Sequence, residues 1–449
     1  MNPTPTDIEA YGAAGTLVAI GAGPKSLAVA AKARVLADLG LPAPRVVVID
    51  KHGVGGNWLP LGGWTDGRHR LGTSPEKDLG FPYRGAPHRT HAAQINAGML
   101  EYSWMAFLVA HQTYTEWIDR GRPNPHHNVW ARYLEWAAAR SGVDVRIGTA
   151  ETVRLTDDGW NVAYRRADGT VETVDGDGLL VTGPGSSDEP LLDDPRVLSV
   201  SKFWHAVSRR EIPASSRAAV IGGGETAASA LDELVRHEVM SISVISPAPT
   251  IYTRGESYFE NSVFSDPTGW PSLPAAERRD VIRRTDRGVF SVSVQENLLA
   301  DDRINHLRGR VTRARRVGDS VHLALCNPDC TAVEHAFDLV IDATGGRPLW
   351  FLDLLDAETL DELELAIGAA PDLRNLENAI GHDLAVTGLP QPLYLPNLAG
   401  FAQGPGFPNL SCLGELSNRV LRSAVDRSSV DRSAVDRRSG RVSAPAGVR

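Results

Sequence analysis

Two glycine-rich turns, each placed between an apolar run and a stretch of helical apolar spacing, constrain this chain more than any other feature. The first follows Thr16-Leu-Val-Ala-Ile20 and reads Gly21-Ala-Gly-Pro-Lys-Ser26; Leu27 to Leu39 then has helical spacing, and the run Arg45-Val-Val-Val-Ile-Asp50 comes next. The second follows Ala218-Ala-Val-Ile221 and reads Gly222-Gly-Gly-Glu-Thr-Ala227, before a helix to about Arg236 and the run Ser241-Ile-Ser-Val-Ile245. Each is a strand–turn–helix–strand unit, whose crossover joins parallel strands. The fold class that follows is α/β, with two Rossmann-like dinucleotide-binding domains, the second inserted in the first, and a small helical substrate region.

The chemistry of such a turn is specific. Backbone N–H groups at a helix N-terminus converge on a pyrophosphate, and glycine lets the backbone come close enough. Gly21 and Gly23 meet that need, with Pro24 and Lys25 opening the helix and Ser26 where the usual pattern has a third glycine. Asp50 ends the next strand, where a carboxylate accepts hydrogen bonds from ribose hydroxyls. The first turn therefore reads as an FAD site. In the second, Gly222, Gly223 and Gly224 lead into Glu225 and Thr226, and the following strand ends at Ser246 rather than an acid. An acid there would repel a 2′-phosphate, so Ser246 permits NADPH, with NADH also compatible. Arg254 is either a partner for that phosphate or a solvated loop charge. Two dinucleotide turns in one chain imply electron transfer from a nicotinamide to a flavin.

The expected organisation is a flexible segment at 1–15, an FAD domain from 16–205 and 340–421, and an NAD(P)H domain from 206–339 carrying loops that contact substrate. The helical stretches Trp104–Arg120 and Trp130–Arg140 read as crossover or cap elements. From 422 to 449 the pentapeptides Ser423-Ala-Val-Asp-Arg427, Ser428-Ser-Val-Asp-Arg432 and Ser433-Ala-Val-Asp-Arg437 repeat. They hold too few apolar residues to offset ordering entropy, so this tail is expected to be disordered.

Composition excludes several classes. A net charge of −9 over 449 residues argues against a general polyanion binder such as a nucleic-acid protein. No uninterrupted apolar stretch reaches membrane-spanning length, and Met1 to Gly15 lacks the pattern of a signal peptide. Three cysteines argue for a reducing compartment, with the cytoplasm the expected location. No cysteine lies between Asp50 and Leu100, so the dithiol relay of flavin disulfide reductases is not expected; Cys326 and Cys330 read as unpaired surface thiols and not as a metal site. Phe203-Trp-His-Ala-Val-Ser-Arg209 also departs from the spacing of the Baeyer–Villiger signature.

Longer segments are more specific than either turn. They are Gly62-Gly-Trp-Thr-Asp-Gly67, Arg70-Leu-Gly-Thr-Ser-Pro-Glu-Lys-Asp-Leu-Gly-Phe-Pro-Tyr83, Glu116-Trp-Ile-Asp-Arg-Gly-Arg-Pro123, Phe259-Glu-Asn-Ser-Val-Phe-Ser-Asp266, Thr285-Asp-Arg-Gly-Val-Phe290 and Gly404-Pro-Gly-Phe-Pro-Asn-Leu-Ser-Cys-Leu-Gly414. Together with the turns they resemble the microbial N-hydroxylating flavin monooxygenases, and among them the lysine N6-hydroxylases of mycobactin- and nocobactin-type siderophore assembly. The resemblance covers residues 16 to 421.

What it implies is FAD- and NAD(P)H-dependent conversion of L-lysine and O2 to N6-hydroxy-L-lysine, with L-ornithine N5-hydroxylation, an uncoupled NAD(P)H oxidase and a flavin-binding scaffold as alternatives, and a homo-oligomer as one possible assembly. The flavin and nicotinamide would carry the catalysis, and the protein would position the reactants. The resemblance places Lys77 on the substrate's α-carboxylate and Asn261 on its backbone atoms, with Asn409 and Ser411 at the far end of the pocket. Trp58 and His69 would cover the flavin, and Lys51, Leu71, Val153 and Gly183 would complete the FAD site. Two departures stand out: Val289, where many relatives have asparagine, and Gly72, where they place a glutamine near the flavin. A lysine amine titrates near ~10.4, so making it neutral at pH 8 costs roughly 3.3 kcal/mol. An apolar pocket free of carboxylates would lower that cost.

Overall fold

The computed structural model describes residues 11–84, 90–185, 191–298, 300–326 and 332–439. Two five-stranded parallel sheets form its centre. The first has the order Leu393–Tyr394, Gly178–Val181, Tyr11–Ile20, Ala43–Asp50, Asp144–Ile147. The second has the order Ile304–Arg308, Ser241–Ser246, Arg217–Ile221, Leu339–Asp342, Val197–Ser199. Val46 to Ile49 and Leu339 to Ile341 are uninterrupted apolar runs buried in their sheets, the pattern of strands covered on both faces.

The two units repeat each other bond for bond at their turns. Gly21 N–H donates to Ile49 O at 2.8 Å, and Gly222 N–H donates to Ile245 O at 2.9 Å. Thr182 N–H donates to Ile20 O at 2.9 Å, and Ala343 N–H donates to Ile221 O at 2.9 Å. Each unit also detours through a three-stranded antiparallel sheet, Thr149–Gly176 in the first and Arg310–Phe337 in the second, before the strand that closes it.

This repetition corrects the expected domain boundaries. Leu339–Asp342 pairs with Arg217–Ile221 on one side and with Val197–Ser199 on the other, so it and Val197–Ser199 both belong to the second sheet. The second unit thus begins before Val197 and ends after Asp342, rather than at 206 and 339. Residues 11–15, expected to be flexible, extend the strand Tyr11–Ile20, where Tyr11 pairs with Ala43. The tail expectation is corrected through Ser439, because one helix runs Leu413–Ser439. Leu413, Leu416, Val420 and Leu421 are buried in the first core. A helix nucleated by packed turns then propagates at one hydrogen bond per residue. Residues 1–10, 440–449 and Cys330 lie outside the described residues. Among those described, no helix is long and apolar enough to cross a membrane.

Candidate active site

A cavity of about 820 Å³ opens between the two units and is lined from both. Gly21, Gly23, Pro24, Lys25 and Asp50 line one side, and Glu225, Thr226 and Arg254 line the other. Gly21 has φ +101°, and a Cβ there would stand 2.6 Å from Thr182 Oγ1. At Gly23 a Cβ would meet nothing within 4 Å, so the glycine leaves open space above the start of the helix Pro24–Asp38. Ser26 does not face the cavity: its Oγ donates to Gly21 O at 2.6 Å and so braces the turn from below. Asp50 accepts Ala22 N–H at 2.8 Å and His52 N–H at 2.7 Å, which fixes the carboxylate at the cavity edge.

Two buried polar atoms on this wall have no partner among the described residues, the acceptor Asn397 Oδ1 and the donor Arg254 Nε. Such atoms are costly unless a ligand completes them. An extended cavity with the glycines of the first turn on one side, Glu225 and Thr226 at the start of the second turn's helix on the other, and one orphan acceptor and one orphan donor fits a flavin and a nicotinamide dinucleotide.

The second turn meets the first unit through Glu225. Its Oε2 accepts Ser291 N–H at 2.9 Å, and its Oε1 is 2.8 Å from where a Cβ on Gly72 would lie. The missing side chain at 72 therefore makes room for a carboxylate from the other unit. Two carboxylates, Asp50 and Glu225, line the cavity as a whole, the second because the helix Glu225–Leu234 starts there and points its first side chain toward Gly72. Gly72→Gln is expected to displace Glu225 and slow nicotinamide-dependent flavin reduction by about tenfold, as overpacking costs of ~1–3 kcal/mol imply. FAD content should stay the same; an unchanged reduction rate would mean that the position of Glu225 does not affect how the nicotinamide is held.

Lys77 sits on a loop held by its neighbour. Asp78 is buried and accepts Trp104 N–H at 2.9 Å, Gly80 N–H at 3.2 Å and Tyr83 O–H at 2.6 Å. Tyr133 Oη accepts Leu79 N–H at 3.2 Å and donates to Tyr102 O at 2.8 Å. With the backbone fixed, Lys77 Nζ donates to Asn261 Oδ1 at 3.0 Å, and Asn261 Nδ2 donates to Glu256 O at 2.9 Å. Burial and then repulsion from Arg254 push the Lys77 ammonium below the usual lysine range.

Burial pushes the Asp78 carboxyl up from 3.8 to about 6, against the hydrogen bonds that favour its charged form. Between those two values the folded state holds more protons than the unfolded one, so stability falls as pH rises through that window and levels off above it. The stability advantage of wild type over Asp78→Asn should shrink across the same window; a difference independent of pH would contradict this.

At the far end, Asn409 Nδ2 donates to Pro405 O at 2.9 Å and to Asp286 Oδ1 at 3.3 Å, while its Oδ1 accepts Ser411 N–H at 2.8 Å. Lys25 Nζ donates to Pro408 O at 2.7 Å, and burial lowers its ammonium to about 8 against the attraction of Asp286. Burial raises the Asp286 carboxyl, opposed first by Arg254. Arg254 thus lies within electrostatic reach of both the Lys77 pair and the Asn409 end.

Trp58, His69, Leu71, Gly183, Asn409 and Ser411 line the cavity. Lys77 and Asn261 do not line it; they stand beside it next to Arg254. Gly222, Gly223 and Gly224 of the second turn, and Ser246, are not among the lining residues; Ser246 is buried, its Cβ 3.3 Å from where a Cβ on Gly223 would lie. Two residues are elsewhere. Lys51 is exposed and outside the lining. Val153 is a core residue of the first antiparallel sheet, because its strand faces the Leu355 segment and not the cavity.

Sequence reasoning missed Asn397, whose Nδ2 donates to Gly183 O at 2.7 Å, and His127. The His127 ring packs 4.9 Å from Trp58 and 5.4 Å from His69, and its Nδ1 is 3.0 Å from Thr65 Oγ1. Burial and the neighbouring histidines lower it to about 3, so it is neutral. His69 Nδ1 in turn approaches Asp232 Oδ2 of the second unit at 3.6 Å.

Comparison with known proteins gives the same outline. The family described as L-lysine 6-monooxygenase/L-ornithine 5-monooxygenase matches residues 96–347. The L-lysine N6-monooxygenase MbtG of Mycolicibacterium paratuberculosis is 53% identical over 414 residues, 91% of this chain and 96% of that protein. MbtG of Mycobacterium tuberculosis is 51% identical over 91% of this chain and 95% of its own length. The solved structure of the lysine monooxygenase NbtG from Nocardia farcinica is 60% identical, with a TM-score of 0.83 over 90% of this chain and 99% of that one. A Kutzneria ornithine N-hydroxylase, solved with reduced FAD, NADP+ and L-ornithine, shares the fold at 19% identity and a TM-score of 0.72, over 92% of this chain and 99% of that one. The chain belongs to the L-lysine 6-monooxygenase/L-ornithine 5-monooxygenase family.

Proposed function

We propose that this protein is an FAD- and NADPH-dependent L-lysine N6-monooxygenase. It converts L-lysine, NADPH, O2 and a proton to N6-hydroxy-L-lysine, NADP+ and water, and the hydroxylamine serves hydroxamate siderophore assembly. The observation that carries the lysine assignment is the Lys77–Asn261 pair, held beside the cavity by the Asp78 anchor.

Bound FAD supplies two-electron transfer and oxygen activation; everything else is positioning. Gly21, Gly23 and the free N–H groups of the Pro24–Asp38 helix would hold the flavin dinucleotide's pyrophosphate, with Asp50 toward its ribose. The second turn would do the same for the nicotinamide dinucleotide, with Arg254 Nε donating to a ligand oxygen. Lys77 would bind the amino acid's carboxylate and Asn261 its polar backbone atoms. Asn409 and Ser411 would close the far end. Elsewhere on the wall Trp58 and the neutral His127 present uncharged rings, the kind of surface that favours an unprotonated amine.

In keeping with three cysteines in 449 residues, we assign the enzyme to the cytoplasm. The test is anaerobic reduction of the FAD-loaded enzyme by NADPH, followed by oxygen with and without L-lysine. Lysine-dependent hydroxylamine formation is expected. Flavin reduction with no hydroxylated amine would make the protein an oxidase, and FAD binding without reduction would make it a scaffold.

A further inference from the structure

A second pocket, of about 580 Å³, lies between the helices Ala275–Thr285 and Leu373–Ala379. Arg279, Arg283, Arg287 and Arg374 line it, with Glu377 and the ring of Phe401. Arg287 also lines the large cavity, so the two spaces share a wall.

The charges do not balance. Glu377 binds Arg287 at 2.6 Å, and Arg283 pairs with Asp280 on its own helix. Arg279 instead lies over Phe401, 5.0 Å from the ring centroid, which holds its guanidinium in place without neutralising it. Among the described residues, neither Arg279 nor Arg374 has a carboxylate within ion-pair distance. Four guanidinium groups against one lining carboxylate, in a chain of net charge −9, is a local field of the opposite sign to the whole.

We propose that this pocket binds a phosphate ester. A dianion with several oxygens can accept from more than one guanidinium fork, whereas a single carboxylate would leave one of the two unpaired guanidinium groups uncompensated. The volume lies in the range of sites that hold an organic molecule rather than a bare ion. The bearer is either the dinucleotide's own 2′-phosphate, reached past Arg287, or a separate phosphorylated compound.

The experiment uses the FAD-loaded full chain and inorganic pyrophosphate as probe, titrated calorimetrically at constant ionic strength. Saturable binding is expected, weakened at least about tenfold in the double variant Arg279→Ala/Arg374→Ala, because two charge-assisted contacts are lost. Arg279→Lys/Arg374→Lys keeps the charge without the forks and should fall between the two. It also serves as the comparison should the alanine variant fail to retain FAD. A rise in KM for NADPH but not NADH in the variants identifies the 2′-phosphate as the occupant; unchanged values for both identify a separate phosphate ester. No saturable binding to wild type, or equal affinity in wild type and variants, overturns the proposal.

Discussion

Lys77→Ala is expected to raise the KM for lysine by two orders of magnitude or more while leaving anaerobic reduction of the flavin by NADPH within about twofold. The size follows from the environment. Removing one partner of a half-desolvated charge pair costs roughly 2–5 kcal/mol, and ~2.8 kcal/mol is already a hundredfold. The selectivity follows from the loop. Asp78, Tyr83 and Tyr133 hold the backbone at 77–79 without help from the lysine side chain, whose hydrogen bond in the protein is to Asn261. Truncation should therefore leave the loop and both dinucleotide turns standing. Asn261→Ala should show a smaller effect in the same direction. Lysine dependence unchanged in Lys77→Ala would remove this residue from the substrate site.

The second large effect concerns the flavin turn, where two neighbouring glycines should behave differently. Gly21→Val places a Cβ 2.6 Å from Thr182 Oγ1 and 3.0 Å from its carbonyl oxygen, at φ +101°. Strain at such a backbone position costs of order 1–3 kcal/mol, and the overlap adds a comparable amount. Loss of bound FAD and a lower melting temperature of the flavin-free protein are expected together. Gly23→Ala has no protein atom within 4 Å of its new methyl group. It should leave the flavin-free protein's melting temperature unchanged and still weaken FAD, by filling the space that the pyrophosphate would use. Equal FAD affinity in Gly23→Ala and wild type would mean that the dinucleotide does not pass over this turn.

Both turns were legible in the sequence because their geometry is local. A strand, two glycines and a helix are adjacent in the chain, and the hydrogen bonds from Gly21 and Gly222 to the next strand follow from that order alone. The boundary between the units was not local. Leu339–Asp342 was assigned to the wrong sheet because parallel pairing joins residues more than a hundred positions apart. The signal was nonetheless present: Asp338-Leu-Val-Ile-Asp-Ala-Thr-Gly345 echoes Asp177-Gly-Leu-Leu-Val-Thr-Gly183, and each segment closes its own unit.

The cavity wall shows the same division. Asn409 and Ser411 were found through an extended matching segment, whereas Asn397 and His127 carry no motif and acquire meaning only from what surrounds them. Gly72 illustrates the limit from the other side. Read alone it is a missing side chain; in the fold it is the space that Glu225 enters from the other unit. The tail helix is not legible in composition, which measures what a segment can bury on its own, while this one continues a helix already anchored in the core.

On the proposed function, the cavity between the two turns selects L-lysine, whose side-chain nitrogen is oxidised there. One methylene is worth only about 1–3 kcal/mol in such a pocket, so the direct measurement is competition. Equal concentrations of L-lysine and L-ornithine are offered to the FAD-loaded enzyme with NADPH and air, and the hydroxylated products are separated by mass. N6-hydroxylysine is expected in excess over N5-hydroxyornithine by about tenfold or more. Predominant hydroxyornithine, or NADPH consumption with neither product, would contradict it.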